Sequence, residues 1–198
     1  MLEQKLENKS KILLAAKKLF AEKGYEGTGI RQICEEADVN LSLVSYHFGG
    51  KKSVYESLFH HFYCPHVTSE LELITDSMHP TEGVRKIISL IVRYTLRDPE
   101  MSNIIYQELS VNINHSSTVN KFIDQLFTKM NGFLRVGKER GMFEIESIPH
   151  SMLMVLNLAI THTNRHNSWL MMDHNSVMYE NLIEQINDFV LRGLGVKS

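Results

Sequence analysis

The sequence predicts an all-α fold of about nine helices. Apolar residues recur at the three- and four-residue spacing of amphipathic helices along nearly the whole chain. Alternation of apolar and polar residues between turn signals, which would indicate strands, is hard to find. Apolar residues make up 43% of the 198 residues and charged residues 22%, as is typical of a globular protein. We therefore expect a folded helical protein rather than a disordered one.

Two helices are predicted at the N-terminal end. The first begins near Asn8 or Ser10 and ends at Gly24, a residue suited to the left-handed conformation that closes many helices. Thr28 stands where the N-cap of a second helix, residues 30–37, is expected.

A third short helix follows directly. Residues 38–40 make a tight turn, Asn40 is placed to cap a helix over residues 41–48, and Gly49 ends it. A helix, a turn and a second short helix are the arrangement that lays the second helix in the major groove of DNA. Residues 1–50 are therefore predicted to be an N-terminal three-helix domain of the helix-turn-helix type.

The remaining residues, 51–198, are predicted to form a C-terminal helical bundle. A fourth helix starts at Lys51 or Lys52 and runs to about Ile74, with a kink or an early end at Pro65 because proline lacks a backbone donor. Further amphipathic stripes lie at residues 84–92, 104–109, 119–134, 152–160 and 182–190. The continuous fourth helix joins the two domains, since no flexible linker separates them.

Composition excludes several classes of protein. Cys34 and Cys64 are too few to staple a chain of this length, and no Cys-Xaa-Xaa-Cys pair offers a zinc site. No apolar run approaches the roughly 18 residues that cross a bilayer, and no leader opens the chain. We expect a cytoplasmic protein with no membrane partner. The net charge of −2 gives no indication of nucleic acid by itself.

The N-terminal residues resemble the TetR family of bacterial transcription regulators over residues 10–60. The matching segments are 15–28 (AAKKLFAEKGYEGT), 30–33 (IRQI), 37–40 (ADVN) and 46–51 (YHFGGK). The resemblance implies a helix-turn-helix that binds double-stranded, near-palindromic operator DNA. It also implies a homodimer and a repressor that a small-molecule effector releases.

The same resemblance assigns roles to matching positions. Thr28 corresponds to a threonine that caps the second helix and bonds a phosphate. Tyr46 and His47 correspond to residues that meet phosphate and base edges, and Lys51 corresponds to a lysine at the start of the fourth helix. The full set of predicted DNA-binding residues is Thr28, Arg31, Leu41, Ser42, Leu43, Ser45, Tyr46, His47 and Lys51.

The recognition helix departs from the family pattern. Asp38 stands where many members have glycine, and Ser45 where many have tyrosine. Residues 41–43 (LSL) replace a polar, glycine and threonine segment. Leucine can touch a thymine methyl group and serine can bond either kind of base edge, so we expect an atypical operator. A similar recognition helix occurs in members that act on cell division, which leaves a DNA-binding protein with a protein partner and no effector as the alternative.

The C-terminal domain offers candidates for dimerisation and effector binding. The stripes at 150–168 and 177–192 match in position the helix pair that forms the family's intersubunit four-helix bundle; ordinary intramolecular packing is the other interpretation. Glu108 beside an apolar face could meet a cationic effector, or it could be a surface or salt-bridged residue. Met130 and Met152 could line an adaptable wall, or they could be simple core residues.

Neither a metal nor a cofactor is predicted. His162 and His166 have a spacing that can chelate a metal, and His60, His61 and His66 cluster near Pro65, but no carboxylate accompanies either group at a recognised offset. The sequence also lacks the Glu-Xaa-Xaa-His, glycine-loop and His-Glu-Xaa-Xaa-His patterns of helical di-iron proteins, nucleotide-binding proteins and zinc proteases. We therefore expect a regulator and not an enzyme.

Overall fold

A computed structural model describes residues 2–111, 116–161 and 176–196, and these residues form helices joined by short turns, with no strand among them. The all-α prediction is confirmed. The elements are α1 (Leu2–Gly27), α2 (Ile30–Ala37), α3 (Leu41–Phe48), α4 (Lys51–Leu58), a π-helical segment (Phe59–Tyr63), α5 (Cys64–Glu72), α6 (Pro80–Arg97), α7 (Pro99–Val111), α8 (Ser117–Glu139), α9 (Ile148–Thr161) and α10 (Ser176–Gly193).

The described residues contain ten α-helices instead of nine because the predicted fourth helix is divided. A five-residue π-helical segment separates α4 from α5 and ends two residues before Pro65. The missing N–H of Pro65 removes one hydrogen bond from this stretch, which favours a local change of helix type. The chain nevertheless runs from Lys51 to Glu72 without leaving helical structure.

The start of α1 was predicted too late. The helix begins at Leu2 and passes through both predicted starting residues. Lys11 Nζ lies 2.7 Å from Glu7 Oε1, an ion pair four residues apart that supports the additional turns. At the predicted end, Gly24, the helix is interrupted by a φ of 74° and a ψ of 174°, and helical structure then continues to Gly27.

The predicted cap at Thr28 is wrong. Gly29 is the N-cap of α2, and the Gln32 side chain accepts a hydrogen bond from the Gly29 N–H at 2.9 Å. The Thr28 hydroxyl instead donates to the carbonyl oxygens of Leu19 and Gly24, at 3.1 and 2.8 Å. Thr28 therefore ties the start of α2 to the end of α1 from the inside.

The chain divides into two compact units. Unit 1 comprises residues 1–65 and 103–121, and unit 2 comprises residues 66–102 and 122–198. The second half of α7 belongs to unit 1, where Asn103 Nδ2 and Gln107 Nε2 donate to the Ala21 carbonyl oxygen at 2.8 and 3.1 Å. The predicted domain boundary between residues 50 and 51 stays a prediction. It concerns which segments fold independently, whereas the two compact units only show which segments pack together.

In unit 2, α6 packs against α9 and α10. Its core includes the buried residues Val84, Ile87, Ile88, Val92, Met130, Leu134, Val155, Leu156 and Val190. Close approach of α6 to α8 depends on Gly83, because a Cβ atom at this position would lie 2.4 Å from the Phe133 ring. None of the described helices combines the length and apolar character needed to span a membrane.

Two helical glycines make a matched test of this packing. We expect Gly83→Ala to lower the free energy of unfolding by about 1–3 kcal/mol, because the buried Phe133 ring must move. Gly132→Ala should raise it by up to about 1 kcal/mol, because alanine favours helix and no described atom lies within 4 Å of the added Cβ. Urea unfolding of both variants checks this. Equal effects of the two substitutions would contradict the packing.

Candidate nucleic-acid interface

Helix α3 is divided lengthwise into a buried edge and an exposed face. Val44 and Phe48, four residues apart, are buried in unit 1. The exposed residues are Leu41, Ser42, Ser45 and Tyr46, and Leu43 and His47 are half-buried. Tyr46 is 70% exposed. The apolar edge therefore holds the helix on the domain and leaves hydroxyl groups, a phenol and a leucine available to a partner.

The turn before α3 orients this face. Asp38 has a φ of 52° and a ψ of 52°, so the position where many family members have glycine keeps the left-handed conformation with an aspartate. Its N–H bonds the carbonyl oxygens of Cys34 and Glu35, which closes α2. Asn40 occupies the N-cap position of α3, as predicted, but its side chain makes no capping hydrogen bond, and Gly49 with a φ of 81° ends the helix.

Arg31 in α2 lines the same surface cleft as Leu41 and Leu43 of α3. Arg31 is exposed in the first turn of α2, where backbone N–H groups and the helix dipole favour an anion. Thr28 is only 1% exposed, and its hydroxyl donates to carbonyl oxygens of α1. A phosphate contact through the Thr28 side chain stays a prediction, and it requires the hydroxyl to turn away from those carbonyl oxygens.

Lys51 is the first residue of α4, next to Gly50. Its Nζ lies 4.2 Å from the centroid of the Tyr25 ring. Tyr25 belongs to a cluster of rings with Phe20, Tyr55 and Phe59, whose neighbouring centroids are 4.8–5.8 Å apart. The cluster lies in unit 1 and includes Tyr55 of α4 and Phe59 of the π-helical segment.

Glu108 is a buried carboxylate in this unit. Its Oε2 accepts a hydrogen bond from the Tyr55 hydroxyl at 3.0 Å, and its Oε1 accepts one from the Ser116 N–H at 2.9 Å. Burial is the main cause that raises the pKa of the Tyr55 phenol far above its usual range, and the negative charge of Glu108 is the second. The structure therefore gives Glu108 a tethering role that joins α4 to the start of α8.

Glu56 makes a second link to α8. Its Oε1 accepts hydrogen bonds from Ser117 Oγ and from the N–H and hydroxyl of Thr118, at 2.8, 3.0 and 2.6 Å. Partial burial acts to raise the pKa of Glu56, but hydrogen bonds from residues 116–118 outweigh it, so the pKa is lowered. Glu56 thus stays charged at neutral pH and caps α8.

Sequence reasoning missed both roles. A Ser-Ser-Thr run at 116–118 indicates the start of a helix, but nothing in the local sequence names the carboxylate that caps it.

The three predicted effector residues do not lie in one compact unit. Glu108 belongs to unit 1, whereas Met130 in α8 and Met152 in α9 belong to unit 2. Met130 is fully buried, and Met152 is half-buried. Their part in effector binding stays a prediction.

The histidine clusters are only partly described. His60 and His61 are exposed, and His60 Nε2 lies 3.2 Å from the Thr118 hydroxyl. His162 and His166 lie outside the described residues. Within the described part of the chain, no group of three or more His, Cys, Asp or Glu side chains is placed to hold a metal.

Comparison with known proteins gives the same assignment for the N-terminal helices and the whole fold. Residues 12–58 match the sequence profile of the bacterial regulatory proteins of the tetR family. NicS, an HTH-type transcriptional repressor of Pseudomonas putida, is 28% identical to this chain over 191 residues, which span 92% of this chain and 90% of NicS.

Solved structures extend the likeness to the C-terminal helices. The hemolysin II transcriptional regulator HlyIIR superposes with a TM-score of 0.70 at 22% identity, over 98% of this chain and 99% of its own. FadR from Bacillus subtilis, in complex with stearoyl-CoA, superposes with a TM-score of 0.66 at 18% identity, over 93% of this chain and 98% of its own. Residues 12–58 therefore carry the helix-turn-helix segment of the tetR family, and the fold is that of the regulators HlyIIR and FadR.

Proposed function

We propose that this chain is a dimeric repressor that binds near-palindromic operator DNA through α3 and leaves it when a small-molecule effector binds. The observation that carries the proposal is the division of α3. Val44 and Phe48 fix the helix, while Ser42, Ser45 and Tyr46 face outward with groups suited to base edges and phosphates. The chain would act on chromosomal DNA in the cytoplasm.

The DNA contacts fall into two groups. Residues of the exposed α3 face are suited to base edges, with Leu41 and Leu43 against thymine methyl groups. Arg31, Tyr46, His47 and Lys51 are suited to phosphates, and Thr28 supports them from inside the domain. Such phosphate contacts set the position of the protein on the duplex, and the α3 face sets its sequence preference.

Dimerisation is supported by apolar side chains on α9 and α10. Leu153 and Met154 of α9 are 60% and 67% exposed, and Phe189 of α10 is 66% exposed. Large apolar side chains grouped on two packed helices indicate an interface. Two subunits related by a two-fold axis would present their α3 helices about 34 Å apart, one turn of DNA.

Repression and release by an effector are supported by the relatives. NicS is a transcriptional repressor, and the FadR structure contains stearoyl-CoA. We therefore propose an effector with an apolar portion such as an acyl chain, which binds in unit 2 with Met130 and Met152 in the wall of its site. An effector role for Glu108 requires the ligand to compete with Tyr55 and Ser116. No observation favours the alternative of a DNA-binding protein with a protein partner and no effector.

The DNA contacts predict a specific salt response. With an operator selected from random duplexes, Lys51→Ala should weaken binding to operator and unrelated DNA alike and lower the slope of log affinity against log salt by about one unit per subunit. Ser45→Ala should leave the slope unchanged, because serine releases no counterion, while reducing the preference for operator. Lys86→Ala in α6 is the charge-matched control. An unchanged slope for Lys51→Ala would contradict the docking.

The dimer interface is tested with glutamate substitutions at exposed positions. Leu153→Glu combined with Phe189→Glu should convert the dimer to a monomer and lower operator affinity at least about tenfold. The reason is that a subunit bound at one half-site no longer brings a second subunit to the other half-site. Leu73→Glu, in the turn after α5, is the matched control, since Leu73 is 73% exposed but lies outside α9 and α10. Analytical ultracentrifugation gives the readout. A dimer that survives the double substitution would exclude this interface.

The effector proposal is tested first with stearoyl-CoA. An effector that binds the free repressor more tightly than the DNA-bound form should raise the melting temperature of the free protein. It should also lower operator affinity by the same factor by which operator DNA lowers effector affinity. Free coenzyme A is the control for the acyl chain. Absence of both effects with stearoyl-CoA and a set of acyl and aromatic acids would remove the sensor from the proposal and leave the alternative.

A further inference from the structure

We propose that Tyr25 is a positioning residue for DNA binding, because its ring holds the Lys51 ammonium group in place for an operator phosphate. The proposal rests on the proposed function, since it needs Lys51 to contact DNA. It adds a residue outside the predicted contact set.

The geometry begins with two adjacent lysines that differ in surroundings. Lys51 Nζ lies over the Tyr25 ring, 4.2 Å from its centroid, well within the roughly 6 Å at which a cation is attracted to an aromatic face. Lys51 is half-buried, whereas Lys52, the next residue of the same helix, is exposed. The ring therefore distinguishes the two side chains and restricts the first.

Tyr25 is itself held by buried rings. The Phe20 ring stacks on it with a centroid distance of 5.8 Å and an interplanar angle of 11°. The Tyr55 ring meets it edge to face at 4.8 Å and 72°. Phe20 and Tyr55 are both buried, so the orientation of the Tyr25 ring is set by the core of unit 1.

The cluster is anchored at its far side by Glu108. The Tyr55 hydroxyl donates to the Glu108 carboxylate, which also accepts from the Ser116 N–H. A continuous set of contacts thus runs from a buried carboxylate through two tyrosine rings to the cation at the start of α4. Each member restricts the next, and the last one is the predicted phosphate contact.

A ring suits this purpose better than a carboxylate. The Lys18 ammonium group is paired with Glu36, and such a pair cancels the charge that a phosphate would attract. A neutral ring orients the cation and leaves its charge available. A lysine that is already ordered also loses less conformational entropy on binding than a free one. From the strength of an exposed cation–π contact, the gain is about two- to fivefold in affinity per subunit.

A double-mutant cycle on operator binding tests the proposal. Tyr25→Leu should weaken operator binding about two- to fivefold per subunit and lower the salt slope, whereas Tyr25→Phe, which keeps the ring, should retain both. In the Lys51→Ala background, Tyr25→Leu should have no further effect on affinity. In a Lys52→Ala background, its effect should be undiminished.

The outcomes separate this proposal from the proposed function. One contrary outcome is that Lys51→Ala loses operator binding while Tyr25→Leu weakens binding by the same factor in the wild type and in the Lys51→Ala background. That result would overturn the positioning role of Tyr25 and leave the DNA contact of Lys51 intact. Normal operator binding in Lys51→Ala would overturn the contact and the positioning role together. If Tyr25→Leu does not fold, stepwise fluorination of a phenylalanine at position 25 weakens the ring's attraction at constant shape. Affinity should then fall with each fluorine, and a constant affinity would overturn the proposal.

Discussion

The surface proposed to meet DNA depends on the burial of two side chains, Val44 and Phe48. Helix α3 has eight residues, and isolated helices shorter than about 12–15 residues are only marginally stable in water. Its conformation therefore comes from packing an apolar edge against unit 1. The left-handed turn at Asp38 costs about 1 kcal/mol or more, and the backbone bonds that close α2 help to offset it. With that edge fixed, the opposite face is free to differ, which explains how an atypical Leu-Ser-Leu segment fits an ordinary scaffold.

Local chemistry predicted the N-terminal elements well. The bounds of α2 and α3 follow from short apolar spacings between Gly24 and Gly49, and both glycines interrupt the helix with a positive φ, at 74° and 81°. The same reasoning failed where a tertiary contact decided the outcome. Thr28 has the chemistry of an N-cap, but nearby carbonyl oxygens of α1 take its hydroxyl and Gly29 becomes the cap. A start signal at Asn8 was likewise overridden by a longer α1.

The contacts that support the site could not be predicted from the sequence, because the residues that meet are far apart along the chain. Glu108 was a reasonable candidate for an effector contact as a carboxylate beside an apolar face. Its partner Tyr55 is 53 residues away, and only the fold brings them together. The same holds for Lys51 and Tyr25, which meet because the core of unit 1 places α4 over the end of α1. Residue type predicted what could bind DNA, and packing decides how each group is held.

The central claim, that the exposed face of α3 selects the DNA this protein binds, is tested most directly by genome-wide mapping of bound DNA. The wild type should be compared with a variant in which Leu41, Ser42 and Ser45 are replaced by alanine. We expect the wild type to occupy discrete promoter sites that share a near-palindromic sequence, with half-sites about one helical turn apart. Those sites should be lost in the variant. The same sites occupied by both proteins, or binding of the wild type without a shared sequence, would contradict the account.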